Sequence, residues 1–238
     1  MNTSSMLLAV TAAGLLPAAA QAADLRAAPV VIETLPGSRT TTFTLINDED
    51  RPLKVQVRVM KWSMANGQEA LTPATDVVAS PPLASLKAKQ HYLVRLVRIA
   101  KAPPVVEESY RVLVDEIPDP NAIKPGSVQL ALRLSLPAFF SDAPRRTAKV
   151  AWSVARDGTG TWLIANNTGD RRLRLSDLDL QADGRALYHQ PGLVGYVLAG
   201  SEKRWALPAM LPANGKVAMK AVADTGPLEV ALVASPGA

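Results

Sequence analysis

The stretch Ser127–Leu136 reads S-V-Q-L-A-L-R-L-S-L, and every second residue from Val128 to Leu136 is a valine or leucine. Successive side chains of a β-strand point to opposite faces, so these apolar residues share one face and Arg133 lies on the other. The pattern predicts a strand over Val128–Leu136 with one apolar face. The residues of that face are Val128, Leu130, Leu132, Leu134 and Leu136.

The rest of the chain shows further short alternating stretches separated by turn residues. In Leu53–Val59 apolar residues alternate with Lys54, Gln56 and Arg58, which is a clean period of two. The 19 prolines would break helices and are tolerated in loops and at sheet edges. Further strands are predicted at Val30–Glu33, Thr41–Ile46, Tyr92–Ile99, Tyr110–Asp115, Lys149–Val154, Thr161–Ala165 and Arg171–Leu175. Turns are predicted at Pro36-Gly37, Asn47-Asp48, Asn66-Gly67 and Pro125-Gly126.

A break in composition at Pro137–Pro144 divides the chain into two parts. Short strands at this spacing indicate an all-β fold of two immunoglobulin-like sandwiches in tandem, of about 120 and 90 residues. We expect the first over residues 23–140, a linker at 141–147 and the second over 148–238, set at an angle with a cleft between them. No cysteine pair flanks Trp152, which excludes an antibody-type domain.

The first residues have the features of a secretory signal peptide. Met6–Ala20 holds no charged residue, and Ala20-Gln21-Ala22 fits the small-x-small cleavage rule. We therefore expect residues 1–22 to be removed on export. The chain has no cysteine, so an exported protein of this kind has no disulfide framework, which favours a bacterial periplasm.

Composition excludes two classes of partner. A net charge of +5 is spread along the chain, and aromatic residues make up only 5%, so the basic and aromatic patches of a nucleic-acid-binding protein are missing. The apolar run of the signal segment is too short and too interrupted to anchor in a bilayer. We expect no nucleic-acid partner and no membrane insertion.

The sequence also lacks the usual combinations of catalytic residues. The two histidines, His91 and His189, lie in different halves, and thiol chemistry is excluded without cysteine. Asp115 and Glu116 are adjacent in a predicted strand, so they point to opposite faces and cannot work as a facing acid and base. We expect neither an enzyme nor a bound cofactor.

Several stretches together resemble the PapD-like periplasmic chaperones of pilus assembly, and within them the archaic branch that serves spore-coat-U-type fimbriae. The most specific is E-S-Y-R-V-L-V-D-E-I-P, Glu108–Pro118, followed by R-L-S-L-P, Arg133–Pro137. Supporting stretches are Phe43–Trp62, Ser80–Leu96, Trp152–Val154, Gly195–Leu198 and Lys203–Leu207.

The resemblance implies that the strand at Val128–Leu136 is lent to another protein. A pilin subunit of this system lacks its last strand, and the chaperone inserts its own strand into the open edge and apolar groove, a case of β-augmentation. Val128, Leu130, Leu132 and Leu134 would fill the groove. The implied partners are fimbrial subunits and an outer-membrane usher.

The resemblance also implies a basic anchor for the carboxylate at the subunit's C-terminus. Arg133 occupies the anchor position by motif. A second base is expected on the first strand, but Val31 stands there. Arg95 is the candidate substitute, and the alternative is that Arg133 binds the carboxylate with backbone donors alone.

Two other functional classes remain open. A fimbrial subunit or adhesin would have a detachable N-terminal donor segment followed by one incomplete sandwich. A secreted two-sandwich binding protein would need an aromatic or acidic patch. The strand at Val128–Leu136 could also be ordinary core, with Arg133 solvated outside.

Overall fold

The computed structural model describes residues 25–119, 131–143, 146–182, 185–207 and 216–236. All regular structure in these ranges is β-strand. This part of the chain contains no helix of the length and apolarity needed to cross a membrane. The signal segment predicted at residues 1–22 lies outside the described residues.

The first domain is a sandwich of two antiparallel-rich sheets. One sheet has the order β1-β3-β8-β6, and the other has the order β2-β10-β9-β4-β5 with β7 alongside β4. The strands are β1 Leu25–Ala28, β2 Ile32–Glu33, β3 Thr40–Asn47, β4 Leu53–Ala65, β5 Gln68–Pro73, β6 Val77–Ser80, β7 Leu83–Leu86, β8 His91–Arg98, β9 Glu108–Ile117 and β10 Arg133–Phe140.

Alternation along the strands builds the core of this domain. In β4, Leu53, Val55 and Val57 are buried while Lys54 and Gln56 are exposed. β9 follows the same rule, because Tyr110, Val112 and Val114 point into the core. The side chains between them, including Arg111 and Asp115, therefore lie on the outer face of the sheet.

The second domain is formed by β11 to β17 in one continuous strand order, β14-β13-β16-β17-β11-β12-β15. β17 joins its two halves, pairing with β16 over most of its length and with β11 at its end. The strands are β11 Val150–Asp157, β12 Gly160–Asn167, β13 Leu173–Ala182, β14 Arg185–Val197, β15 Ser201–Leu207, β16 Lys216–Ala223 and β17 Gly226–Pro236.

The prediction of an all-β fold with two sandwiches is confirmed, and most strands lie where the alternation placed them. The predicted Asn66-Gly67 turn joins β4 to β5, and both residues have positive φ, 52° and 73°. These angles are those of a type I′ hairpin turn, which Asn-Gly favours. Pro137, at the composition break, lies inside β10 rather than beyond it.

Candidate functional site

β10 has a partner strand along only part of one edge. Its whole length from Arg133 to Phe140 pairs with β9. On the other side β2 pairs with Ala138 and Phe139 alone. Among the described residues, the edge from Arg133 to Pro137 therefore faces no strand.

The direction of the main-chain groups follows from two hydrogen bonds. Leu132 O accepts from Glu116 N of β9 at 2.9 Å, and Phe139 O accepts from Thr34 N on the β2 side at 3.1 Å. Main-chain groups alternate between the two edges of a strand in antiparallel pairing. The N–H and C=O groups of Arg133 and Ser135 therefore point to the open edge. Pro137 lies on the same edge, where a missing N–H breaks no bond to β9.

The side chains of β10 change from buried to half-buried towards its start. Leu136, Ala138 and Phe140 belong to the core of the first domain. Leu132 and Leu134 pack against the same core but are only partly buried. Val128 and Leu130, the other predicted groove-filling residues, lie outside the described residues. Near the start of β10, the strand thus combines an open main-chain edge with apolar side chains that its own domain covers only in part.

Arg133 is ion-paired within its own sheet. Its side chain is 62% exposed and binds Asp115, which also accepts from Arg58 Nη2 at 2.7 Å. Burial raises the pKa of the Asp115 carboxyl, but the hydrogen bonds from Arg133 and Arg58 outweigh it and hold that pKa below its ordinary value. Exposed ion pairs of this kind contribute little to stability, so the Arg133 guanidinium can exchange partners readily.

The other predicted anchor residues lie elsewhere. Arg95 is exposed on β8, where Val94 and Leu96 point into the core, so Arg95 lies on the outer face of the opposite sheet. The structure does not bring Arg95 and Arg133 together. Val31 packs against the apolar cluster between the two domains. The anchor roles of Arg133 and Arg95 stay predictions.

The two domains meet at an apolar cluster that we call the junction, formed by Trp62, Phe139, Tyr196 and Leu198. The first two residues come from the outer face of the first domain, and the last two from the second. The Trp62 ring lies 5.4 Å from Tyr196 and 6.0 Å from Phe139, between ring centroids. Aromatic contacts at these distances stabilise beyond the area that they bury.

Arg111 is the basic residue of β9 beside the junction. Its guanidinium carbon lies 3.8 Å from the ring centroid of Trp62, a cation–π contact. Across the ladder it faces Pro137, at the end of the open edge of β10. Arg133 lies further from the junction by about 13 Å along an extended strand. Nothing in the local pattern distinguishes Arg111 from an ordinary sheet-surface charge, because strand periodicity shows a face but not its distance from another domain.

The chain is similar to a family whose members have this architecture. Residues 25–145 match the model of the N-terminal domain of PapD, described as a pili and flagellar-assembly chaperone. The chain belongs to the PapD-like pilus-assembly chaperones. A comparison with curated protein sequences found no match.

Solved structures of other chaperones share the fold of this chaperone over both domains. One is from the CsuC–CsuE chaperone–tip adhesion subunit pre-assembly complex of the archaic chaperone–usher Csu pili of Acinetobacter baumannii. It is 23% identical to this chain with a TM-score of 0.67, and the match covers 90% of this chain and 99% of that chain. Another is from the SafA pilin–SafB chaperone complex of Salmonella enterica, with 19% identity, a TM-score of 0.62 and coverage of 90% and 99%. The E. coli chaperone DraB is 26% identical with a TM-score of 0.57 and coverage of 89% and 98%.

In this chaperone a second, ionic contact crosses the junction. Arg172 of the second domain is buried over the ring of Phe139, with its guanidinium carbon 3.6 Å from the ring centroid. It binds Glu33 and Glu107 of the first domain, the latter at 2.5 Å. Burial raises the pKa of Glu107 above its ordinary value although Arg172 acts against it. Local sequence patterns carry no signal for this contact, since the ion pairs join residues far apart in the chain.

Proposed function

We propose that the chaperone binds a fimbrial subunit by donating β10, together with the residues that precede it, to the subunit's incomplete sheet. The open edge of β10 from Arg133 to Pro137 is the observation that carries this proposal. An unpaired edge with outward N–H and C=O groups is a template for a further strand. The subunit's strand would pair there by main-chain hydrogen bonds.

The apolar side chains of the strand supply the second part of the contact. Leu132 and Leu134 are only partly buried against the core, and Val128 and Leu130 continue the same face in the sequence. Full burial of a Leu or Val side chain is worth about 1.5–3 kcal/mol. A subunit groove that covers these side chains would gain much of this free energy and would hide its own apolar surface from other subunits.

The carboxylate at the subunit's C-terminus would bind a basic residue of the chaperone. The sequence motif proposes Arg133, with Arg95 as the substitute for a second base. The position of Arg111 supports it as a further candidate, because it lies at the end of the open edge and is oriented by Trp62. A charge-assisted hydrogen bond from any of these would fix the register of the bound strand.

We propose further that the chaperone acts in the periplasm and passes its subunit to an outer-membrane usher. The signal segment predicted at residues 1–22 supports export. Release would need no nucleotide, since the subunit can exchange the chaperone strand for the strand of the next subunit.

Substitution of Ser135 by proline tests strand donation. Ser135 is exposed, and its N–H points to the open edge, so proline removes a donor there without breaking the ladder to β9. We expect Ser135→Pro to lower capture of the subunit by roughly tenfold, the equivalent of one main-chain hydrogen bond together with the bulk of the ring. The measurement is co-purification of the subunit with tagged chaperone, co-expressed with the small exported proteins of the neighbouring reading frames.

Ser135→Ala is the matched control, because it removes the same hydroxyl and keeps the N–H. It should capture the subunit as the wild type does, and thermal unfolding should show both variants folded. Capture by Ser135→Pro at the wild-type level, from equal amounts of folded protein, would rule out pairing at this edge.

A further inference from the structure

Glu69 on β5 is held between two cations that come from different domains. Arg111 Nη2 of the first domain lies 3.4 Å from Glu69 Oε2, and Lys203 Nζ of the second domain lies 3.7 Å from Glu69 Oε1. The side chains of Arg111 and Lys203 are 18% and 10% exposed, whereas that of Glu69 is 37% exposed. The arrangement is a carboxylate site at the junction that the chaperone fills with its own side chain.

The hairpin that carries Glu69 is fixed against the second domain. The carbonyl of Gly67 in its turn accepts from Arg204 N at 2.9 Å, and Gln68 Nε2 donates to Arg204 O at 3.4 Å. A Cβ at Gly67 would lie 2.5 Å from Arg204 Cγ, so only glycine allows this close approach. The position of Glu69 is therefore set by the docking of the β4–β5 turn on β15.

Both contacts to Glu69 are long for charge-assisted hydrogen bonds, which are typically 2.7–2.9 Å. The two cations are better fixed than their anion, because the Arg111 guanidinium lies over the ring of Trp62 and Lys203 is nearly buried. A partly exposed carboxylate with loose contacts can leave such a site, whereas the cations stay in place. The site is thus oriented to accept another carboxylate.

We propose that Glu69 is a resident carboxylate that the carboxylate of a bound peptide displaces from Arg111 and Lys203. While no peptide is bound, Glu69 compensates the two neighbouring positive charges, which would otherwise be poorly solvated. When a peptide carboxylate arrives, charge pairing is conserved and Glu69 turns to solvent. Only the assignment of that peptide to the C-terminus of a fimbrial subunit rests on the proposed function.

The proposal predicts that removing the Glu69 charge strengthens the binding of peptide carboxylates. The probes are an N-acetylated four-residue peptide without Asp or Glu, in two forms that end in a free carboxylate or in an amide. A third probe is the amide form with one residue replaced by glutamate. Binding to the full chaperone is followed by the indole N–H signal of Trp62 in nuclear magnetic resonance spectra of ¹⁵N-labelled protein.

We expect Glu69→Gln to bind the free-carboxylate peptide about tenfold more tightly than the wild type, since a competing charge-assisted contact is gone. The amide peptide should show no gain. Arg111→Gln in the Glu69→Gln background should abolish the gain. Glu229→Gln is the matched control, because Glu229 is exposed, pairs with Lys220 at 3.3 Å and gives the same change in net charge.

An equal gain for the carboxylate and amide peptides, or no gain at all, would overturn the displacement of Glu69. A gain confined to the glutamate-containing amide would overturn the choice of a terminal carboxylate. These outcomes are separate from strand donation, because capture by Ser135→Pro measures main-chain pairing and needs no carboxylate.

Discussion

At the scale of single residues, the fully buried Tyr110 organises a set of charges at one end of the first sandwich. Its hydroxyl lies 2.7 Å from Asp76 Oδ2 and 3.1 Å from Glu108 Oε2, and it accepts from Lys61 Nζ at 2.9 Å. Arg98 completes the set with two hydrogen bonds to Glu108, at 2.8 and 2.9 Å. Burial raises the pKa of Tyr110 far above its ordinary value, so the residue acts as a neutral donor.

The two carboxylates of this set depend on those bonds for their charge. Burial raises the pKa of Asp76, but hydrogen bonds from Tyr110 and Lys61 outweigh it and lower the pKa. Burial likewise raises the pKa of Glu108, and the bonds from Arg98 together with the nearby charge of Lys61 and the Tyr110 hydroxyl outweigh it. A carboxyl group with a lowered folded-state pKa stabilises the fold above its unfolded pKa and loses that contribution as the pH falls through the folded value.

Tyr110→Phe should therefore destabilise the chaperone more at pH 7 than at pH 3. At pH 7 we expect the free energy of unfolding to fall by about 1–3 kcal/mol, because a buried hydroxyl that donates its one proton to an ionised carboxylate is removed. Below about pH 4 the carboxylates are protonated in the unfolded chain and increasingly in the folded one, so the two proteins should converge. Urea unfolding at both pH values measures the difference.

Tyr188→Phe is the control for this prediction, since the hydroxyl of Tyr188 bonds the neutral amide of Gln190 at 2.7 Å. Its effect should not change with pH. A Tyr110→Phe penalty of the same size at pH 7 and pH 3 would show that the hydroxyl does not support the ionised carboxylates.

At the scale of elements, the end of β10 is buried in the core of its own domain, whereas the apolar side chains at and just before its start are only partly covered. Leu136 is 7% exposed, whereas Leu132 and Leu134 are only partly buried. We expect Leu136→Ala to cost about 2–5 kcal/mol of stability because it leaves a cavity in the core. Leu132→Ala should cost less than about 1.5 kcal/mol, because less surface is buried, and should lower subunit capture more than Leu136→Ala does in the protein that remains folded.

Chemical denaturation and co-purification of the subunit, carried out on both variants, test this division of the strand. If Leu132→Ala captures the subunit as the wild type does, the Leu132 face belongs to the core alone. That outcome would favour the interpretation of β10 as an ordinary strand with Arg133 solvated outside.

The alternation of β4, β9 and β10 was enough to predict the strands and their inward faces, because a period of two follows directly from strand geometry. It also placed Arg133 correctly on the outer face. It could not show that Asp115 and Arg58 lie beside Arg133, since this depends on the register between strands. Arg111 was missed for a related reason. Its choice as a candidate anchor rests on the contact with Trp62 and on its position beside the second domain, and neither has a signal in the local pattern.

At the scale of the whole molecule, apolar, main-chain and ionic contacts join the two domains in the part of the chain that the structure describes. The apolar junction around Trp62 provides buried area, the hairpin at Gly67 docks on β15, and Arg172 binds the first domain by ion pairs. Glu107 N also donates to Asp170 O at 3.0 Å. Since the open edge of β10 and the cations Arg111 and Lys203 lie on both sides of this junction, a fixed domain arrangement keeps the proposed sites together.

Among the ion pairs between the two domains, we expect those of Arg172 to contribute most to stability. Arg172 and Glu107 are both nearly fully buried, so Arg172→Met leaves the buried Glu107 carboxylate without its guanidinium partner, although the main-chain N–H of residue 172 still donates to it. Removing one partner of such a pair costs about 3–5 kcal/mol. The double variant Arg172→Met/Glu107→Gln removes both charges and should recover most of the lost stability.

The penalty of Arg172→Met should shrink as the pH falls from 8 towards 5. Burial raises the folded-state pKa of Glu107, and loss of Arg172 raises it further, so protonation favours the folded chaperone as the pH falls through that value. Urea unfolding at pH 8 and pH 5 measures the change, with Arg171→Met as control because Arg171 is more exposed and 3.9 Å from Glu33. An Arg172→Met penalty that is independent of pH, or no larger than that of Arg171→Met, would mean that the apolar junction and the docked hairpin hold the domains together without this ion pair.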